Sequence, residues 1–190
     1  MTSPLSDTTI DTAKKALRTE LRIKRKTMSP SVRAIANVRI IEQLCTLITR
    51  NNYTRIAAYC PGEKEPGGVE LLKNLDAYVD ELWLPLSRSQ FQLEWARYQG
   101  SEYLRVGKHN IYEPMGKSFS SEILHALDLI IVPALGATPH GHRLGQGGGY
   151  YDRAMKNIST PQVMLLFASE IRSDIPIADH DICIKKIISA

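Results

Sequence analysis

The segment from Arg143 to Arg153 combines residue types that bind phosphate groups and metal ions. It reads Arg-Leu-Gly-Gln-Gly-Gly-Gly-Tyr-Tyr-Asp-Arg, and five glycines lie between Gly141 and Gly149. Glycine has no Cβ atom, so a phosphate chain can approach the backbone closely and bind successive N–H groups. Arg143 offers a fork of donors to phosphate oxygens, and Asp152 is a hard oxygen ligand of the kind that binds Mg²⁺ beside a nucleotide. The segment therefore predicts a site for a polyphosphate and magnesium.

The pattern differs from the two best-known phosphate motifs. It lacks the Lys-Ser/Thr pair of a P-loop and the ribose-binding acid of a dinucleotide fold. A glycine run alone is also typical of a flexible turn. The charged and aromatic residues on both sides of Gly147–Gly149 favour a ligand site over a simple turn.

A stripe of basic residues follows helical spacing near the start of the chain. Lys14, Arg18, Arg22 and Arg25 recur at intervals of four, four and three residues, which places them along one face of a helix. Three interpretations are open at this level: a solvated helix face, a nucleic-acid surface, or one wall of an anion pocket.

The elements around these residues indicate an α/β protein. Helical periodicity runs from Asp11 to Lys26 and again from Pro30 to Arg50. β-rich runs at 55–60, 81–86, 91–98, 128–133, 163–167 and 182–188 alternate with helical patterns at 69–78, 122–127 and after Tyr150. Leu129, Ile130, Ile131 and Val132 form a contiguous apolar run, as a strand covered on both faces requires. Ligands of parallel sheets collect where strands lead into helices, which is where the glycine segment lies.

Length and composition agree with one cytoplasmic domain. The 190 residues are 43% hydrophobic, enough for a single core, and we expect one domain over 1–190 with a loose terminus at 1–10. The three cysteines are widely spaced, which is typical of reduced thiols rather than a zinc site or disulfide framework. No apolar run approaches the ~20 residues that cross a bilayer. We expect no membrane contact and a monomer.

The segment from Pro133 to Arg153, with Lys14-x-x-Leu17-Arg18, resembles the 5-formyltetrahydrofolate cyclo-ligase family, also called methenyltetrahydrofolate synthetases. The similarity spans about residues 12–188 and includes an Arg-Leu-Gly-x-Gly-Gly-Gly-Tyr-Tyr-Asp-Arg segment without a gap. Further matching anchors occur in the family's order: Gly62-Glu63, Leu84-Pro85, Ile111-Tyr112-Glu113-Pro114, and Pro176 followed by His180-Asp181.

The resemblance implies a fold and a reaction. The fold is α/β, a three-layer α/β/α arrangement with a mostly parallel central sheet and the N-terminal helices packed on it. The reaction uses ATP and Mg²⁺ to convert 5-formyltetrahydrofolate, with or without a polyglutamate tail, into 5,10-methenyltetrahydrofolate. A phosphorylated formyl oxygen becomes a good leaving group, N10 closes the ring, and ADP and phosphate are released. Such chemistry depends mainly on positioning and charge neutralisation.

The resemblance also assigns roles to residues of this chain. Arg143 and Tyr151 are the expected catalytic residues, Asp152 and Asp181 the Mg²⁺ ligands, and Glu63 with Tyr151 the folate-binding residues. The expected nucleotide-binding residues are Lys14, Arg18, Arg143, Gly145, Gly147, Gly148, Gly149, Tyr150, Tyr151 and Asp152.

Three departures from the family pattern define the alternatives. Ala137-Thr138 stands where the family commonly has Phe-Asp, Glu63-Lys64-Glu65-Pro66 replaces Glu-x-Asp-Thr, and Glu170 replaces a glutamine. We expect all three on the folate side of the site. A diverged relative that binds ATP but acts on another substrate is therefore an alternative, and a nucleic-acid-binding protein that uses the basic helix is a second.

Overall fold

A computed structural model of the chain describes residues 7–178 and 181–190, and the elements below are those of that part. The helices are α1 (Asp7–Thr27), α2 (Pro30–Asn51), α3 (Leu71–Asp76) and α4 (Tyr150–Ala154). The strands are β1 (Arg55–Ala57), β2 (Glu81–Ser87), β3 (Leu93–Arg97), β4 (Leu104–Val106), β5 (Tyr112–Pro114), β6 (Ser118–Ser120), β7 (Leu129–Pro133), β8 (Gly136–Ala137), β9 (Arg143–Leu144), β10 (Gln162–Leu166) and β11 (Lys186–Ser189).

A seven-stranded sheet in the order β11-β10-β7-β1-β2-β3-β6 forms the centre of the molecule. The pairings among β11, β10, β7, β1 and β2 are parallel, and β3 and β6 extend the sheet in antiparallel pairing. Strands β4 and β5 form one separate antiparallel hairpin, and β8 and β9 form another. The predicted α/β fold with a mostly parallel sheet is confirmed.

Side chains that alternate along the strands join two core clusters on opposite faces of the sheet. In β7, Leu129 and Ile131 pack with α2 and α3 on one face, and Ile130 and Val132 pack with α4 on the other. The short 3₁₀ helix Ser121–Ala126 also contributes to the second face through Leu124. This arrangement explains why β7 reads as a continuous apolar run, since both of its faces are covered.

Helix α1 departs from the expected packing of both N-terminal helices on the sheet. Its buried leucines, Leu17 and Leu21, form a separate cluster with Leu135, Leu144 and Ile175, beside the β8–β9 hairpin. The physical reason is the basic stripe, because a helix whose face carries Lys14 and three arginines cannot lie on an apolar sheet. Helix α1 therefore packs beside the β8–β9 hairpin instead of on the sheet.

Several predicted boundaries shift. Helix α1 begins at Asp7, so 7–10 is helical rather than loose, whereas 1–6 lies outside the described residues. The first strand ends at Ala57 instead of Cys60, and the last strand is Lys186–Ser189. The stretch from Gly100 to Lys117, for which no element was expected, contains the β4–β5 hairpin. Across the described ranges, no helix has the length and apolarity that a membrane span requires.

The chain reverses its direction of travel across the sheet at β1. Strand β2 is added on one side of β1, and β7 is later added on the other side, followed by β10 and β11. The loops that leave β1 and β7 therefore diverge and open a crevice beyond the carboxyl ends of these strands. Parallel sheets bind ligands at such a switch point.

Candidate active site

A cavity of about 440 Å³ lies at this switch point. Its wall includes Tyr59 and Cys60 after β1 and Pro133 and Ala134 at the end of β7. Most of the predicted site residues also line it, namely Arg143, Gly145, Gly147, Gly148, Gly149, Tyr150, Tyr151 and Asp152. The fold thus brings the glycine segment to the place where a ligand is expected.

In the glycine loop, residues 145–149 between β9 and α4, arginines bind carbonyl groups while two N–H groups stay unpaired among the described residues. Its carbonyl groups are bound by arginines: Arg18 Nε donates to Gly145 O at 2.9 Å, Arg22 Nη2 to Gln146 O at 3.1 Å, and Arg153 Nη1 to Gly148 O at 3.1 Å. Within the described part of the chain, the N–H groups of Gly147 and Gly148 have no acceptor. Unpaired backbone donors flanked by cationic side chains are what an anion needs.

Backbone geometry explains two of the glycines in this loop. Gly147 has φ +101° and Gly149 φ +68°, conformations that side-chain-bearing residues rarely adopt. A Cβ atom on Gly147 would also lie 3.4 Å from Arg18 Cζ. Helix α4 has only five residues, so its dipole adds little, and the loop N–H groups and the arginines carry the positive potential.

Each member of the basic stripe on α1 binds a partner far along the chain. Lys14 Nζ lies 2.6 Å and 2.5 Å from the two carboxylate oxygens of Asp181. Arg22 donates from Nε (3.1 Å) and from Nη2 (2.9 Å) to Gln146 Oε1. Arg25 binds Glu170, and Arg18 binds the glycine loop as described above. Lys14 and Arg25 are buried, Arg18 is half-buried, and the exposed Arg22 is bound to Gln146. Because all four are paired within the chain, the stripe is neither a merely solvated face nor a free nucleic-acid surface.

Burial and neighbouring positive charge perturb Arg18. Burial lowers the pKa of Arg18, and the adjacent Arg22 and Arg143 lower it further, whereas Asp11 and Asp181 act in the opposite direction. Cations that repel one another beside unpaired backbone donors create a site that favours a polyanion.

Arg143 and Asp152 form an ion pair in the cavity wall. Arg143 Nη2 donates to Asp152 Oδ1 at 2.6 Å, and Nη1 donates to Pro133 O at 3.1 Å. Arg143 is 8% exposed, and its buried Nε has no partner among the described residues. Buried donors are seldom left unpaired, so this atom indicates a missing acceptor.

Asp152 and Asp181, the two predicted magnesium ligands, are each paired with a cation. Asp181 contacts Lys14 and also accepts a hydrogen bond from Ala178 N at 2.8 Å, and it does not line the cavity. No cluster of three or more metal-binding side chains occurs within 7–178 and 181–190. Mg²⁺ commonly takes one or two carboxylates together with substrate phosphates and water, so the cavity-lining Asp152 fits that ion once Arg143 is displaced. His180, the neighbouring family anchor, lies outside the described residues.

The two tyrosines at the start of α4 differ in environment. Tyr151 is 9% exposed and packs edge-to-face on Trp95 with 6.1 Å between ring centroids. Its buried hydroxyl has no partner in the described part of the chain, and burial raises the pKa of Tyr151 far above its ordinary value. The phenol therefore stays neutral and can donate a hydrogen bond to a ligand. Tyr150 packs against Phe91 at 5.5 Å.

The acid on the cavity wall after β1 is Glu65, whereas the expected Glu63 is exposed and outside the lining. Glu65 Oε2 accepts a hydrogen bond from Gly62 N at 2.9 Å, and Oε1 lies 3.9 Å from Arg25 Nη1. The positive φ values of Gly67 (+89°) and Gly68 (+56°) turn this loop and are the local reason for its path. Glu65 rather than Glu63 is therefore the acid that lines the cavity.

Two of the three departures lie away from the cavity, contrary to expectation. Ala137 and Thr138 are buried in the β8–β9 hairpin, where Thr138 Oγ1 accepts a hydrogen bond from His142 N at 3.1 Å. Glu170 is 1% exposed and receives Arg25 Nε at 2.6 Å and Nη2 at 2.9 Å. An arginine inside the fold thus compensates the added negative charge. Burial lowers the pKa of Arg25, but the hydrogen bond and charge of Glu170, together with the charges of Glu65 and Tyr59, raise it overall. Burial also raises the pKa of Glu170, and Arg25 counteracts that rise.

Four lining residues with charged or amide side chains had no expected site role: Arg22, Glu65, Glu113 and Gln146. The helical spacing of the basic stripe was the available signal for Arg22. Gln146 lies inside the glycine segment, and its contact with Arg22 could not be read from sequence. Glu113 was visible only as part of a family anchor.

The fold and the site together define an α/β protein whose cavity, at the switch point of its sheet, carries groups suited to a polyanion. Comparison of the chain with known proteins identifies its family. The sequence profile of the 5-formyltetrahydrofolate cyclo-ligase family matches residues 10–190, and the chain belongs to that family. It is accordingly an enzyme of the ligase class in folate and one-carbon metabolism, as predicted.

Individual relatives agree with this assignment. The chain is 30% identical over 141 residues to the 5-formyltetrahydrofolate cyclo-ligase of Mycolicibacterium smegmatis, covering 70% of this chain and 72% of that protein. It is 27% identical over 194 residues to the enzyme of the same name from Mus musculus, with 95% of each chain covered. The solved structure of Aquifex aeolicus 5,10-methenyltetrahydrofolate synthetase superposes with a TM-score of 0.79 at 27% identity, covering 93% of this chain and 89% of that one.

Proposed function

We propose that this chain uses ATP and Mg²⁺ to cyclise 5-formyltetrahydrofolate to 5,10-methenyltetrahydrofolate, with release of ADP and phosphate through a phosphorylated formyl intermediate. The observation that carries the nucleotide part is the polarity of the glycine loop, whose carbonyls are bound by arginines and whose Gly147 and Gly148 N–H groups lack acceptors in the described structure. The folate part rests on the family and on the names of the relatives. A cytoplasmic monomer remains our expectation for its state in the cell.

In this proposal, the phosphates bind the loop N–H groups and the cations around them. Arg18 and Arg143 neutralise charge on the transferred phosphoryl group, and Lys14 turns from Asp181 to the nucleotide. Asp152 and Asp181 are the residues that would hold Mg²⁺, which supplies charge neutralisation between the phosphates when bound. Both ion pairs must open at this step, so we expect ATP and Mg²⁺ to favour each other's binding.

The folate would occupy the part of the cavity nearer β1 and β2. Glu65, which lines the cavity where Glu63 does not, would accept hydrogen bonds from the donor edge of the pterin, and the neutral Tyr151 hydroxyl would donate to the formyl oxygen. A hydrogen bond to that oxygen helps to position it for phosphorylation. Polyglutamate tails would extend through the open side of the cavity.

The decisive test combines a product assay with nucleotide binding. Protein incubated with 5-formyltetrahydrofolate and Mg-ATP should develop the near-ultraviolet absorbance of the methenyl product, and Asp152→Asn should lower the rate at least about a hundredfold, as expected for a lost metal ligand. Asp76→Asn, an exposed carboxylate outside the cavity, is the matched control. ATP binding without product would favour a diverged relative with another substrate, and salt-sensitive nucleic-acid binding without ATP binding would refute the proposal.

A further inference from the structure

Glu113 is a buried carboxylate in the cavity wall to which no role has been assigned above. It is 5% exposed and lies on β5 of the β4–β5 hairpin. Its Oε1 accepts a hydrogen bond from Ser87 N, at the end of β2, at 2.8 Å. The carboxylate therefore bridges the hairpin to the central sheet at the edge of the cavity.

The negative charge of Glu113 has no counter-ion in the described structure. None of the ion pairs among residues 7–178 and 181–190 includes it, and Arg105, which faces it across the hairpin, is exposed. Its second oxygen, Oε2, accepts no hydrogen bond from any described residue. Oε2 is not among the fully buried unpaired atoms of the described residues, so it is open to the cavity, where it can accept a hydrogen bond from a ligand.

The position of this carboxylate is fixed by close packing. A Cβ atom on Gly107 would lie 2.2 Å from Glu113 Cδ, which shows that the hairpin backbone lies directly against the carboxyl group. The cavity-lining residues on this side are Pro85, Ser87, Leu93, Ile111 and Glu113, and Glu113 is the charged member of that set. A fixed anion in an otherwise neutral wall selects for an N–H donor and repels phosphate.

We propose that Glu113 is a specificity-determining residue that accepts a hydrogen bond from an N–H group of the folate. This inference rests on the proposed function for the identity of the ligand. Adenine also carries N–H donors. The cations and free loop N–H groups that suit the polyphosphate of a nucleotide come from α1 and the glycine segment, however, whereas Glu113 lies on the β4–β5 hairpin. The folate is therefore the ligand that faces Glu113.

Equilibrium binding of each ligand alone tests the assignment. Glu113→Gln can keep the acceptor for Ser87 N through its amide oxygen, but it then presents an NH₂ group to the ligand instead of an oxygen. We expect the Kd for 5-formyltetrahydrofolate to rise about tenfold to a hundredfold, as for the loss of a charge-assisted hydrogen bond, with the Kd for Mg-ATP unchanged. Glu102→Gln, an exposed acid at the base of the same hairpin, should change neither value.

Glu113→Asp provides a second variant in case the Glu113→Gln protein fails to fold. It keeps the charge on a shorter side chain, and it should weaken the binding of folate but not that of Mg-ATP. Wild-type affinity for folate in a folded Glu113→Gln or Glu113→Asp protein overturns the inference, as does a selective loss of Mg-ATP. Wild-type protein that binds no folate refutes the proposed function itself, so the two failures are distinguishable.

Discussion

Replacing Lys14 with methionine separates the structural role of this residue from its expected role in nucleotide binding. Lys14 is 4% exposed, and both oxygens of Asp181 lie within 2.6 Å of its Nζ. Removing one partner of a buried ion pair costs about 3–5 kcal/mol because the remaining charge loses its compensation. Asp181 keeps the Ala178 N–H and a side chain that is 13% exposed, which reduces that cost. We therefore expect Lys14→Met to lower the free energy of unfolding by about 2–3 kcal/mol.

Urea denaturation monitored by circular dichroism measures this loss, with Lys15→Met as the matched control. Lys15 is the exposed neighbour on the same helix, and its substitution should stay within about 0.5 kcal/mol of wild type. The double variant Lys14→Met/Asp181→Asn removes both charges and should recover about 1–2 kcal/mol of the loss.

Nucleotide affinity gives a readout that stability alone would not change. Lys14→Met should bind Mg-ATP about tenfold or more weakly. The double variant should also bind it weakly although its stability has recovered, because it lacks both Lys14 and Asp181, a proposed Mg²⁺ ligand. If Lys14→Met were no less stable than Lys15→Met, the ion pair would contribute nothing. If the double variant regained ATP affinity, Lys14 would have only a structural role.

Two further predictions concern titratable groups. Burial raises the pKa of Asp128, but hydrogen bonds from the N–H groups of Arg55 and Thr54 outweigh burial and hold the pKa below its ordinary value. Asp128 therefore stabilises the fold above about pH 4, and this stabilisation is lost as the pH falls through the lower pKa of the folded state. The difference in urea midpoint between pH 7 and pH 3 should be smaller in Asp128→Asn than in wild type, and an equal difference would contradict this. Burial, and to a smaller extent the charge of Glu65, raises the pKa of Cys60 to about 11. At pH 8, iodoacetamide should therefore alkylate Cys60 about tenfold or more slowly than the exposed Cys183. Bound folate should slow the alkylation of Cys60 further, because Cys60 lines the cavity. Mass spectrometry of the two peptides measures both rates, and equal rates at pH 8 would show that the thiol is not perturbed.

The parts of the fold that follow from local pattern were predictable from sequence. The apolar run of β7, the helical spacing of the basic stripe and the glycine-rich segment each correspond to an observed element or face. Such features depend on residues that are near one another in the chain. The position of α1 away from the sheet could also have been inferred, since few apolar residues lie on it.

The contacts that complete the site were not predictable from local pattern. Arg25 and Glu170 are 145 residues apart, so nothing in the sequence near Glu170 shows that an arginine compensates its charge. The same applies to Lys14 and Asp181, which are separated by 167 residues. Choosing Glu65 over Glu63 required the path of a loop set by Gly67, Gly68 and the hydrogen bond from Tyr59 Oη to Pro66 O.

The partners of α1 have a consequence for the order in which the site can form during synthesis. This helix is made early, but its basic side chains bind residues that lie 124 to 167 positions later. Closing such long loops is slow, and a growing chain lacks Asp181 until the 167 positions after Lys14 have been synthesised. Until those later residues are synthesised, Lys14, Arg18, Arg22 and Arg25 of α1 lack these partners. A nascent chain that stalls before residue 143 has neither the glycine loop nor the Arg143–Asp152 pair, so a ligand of this cavity cannot stabilise it.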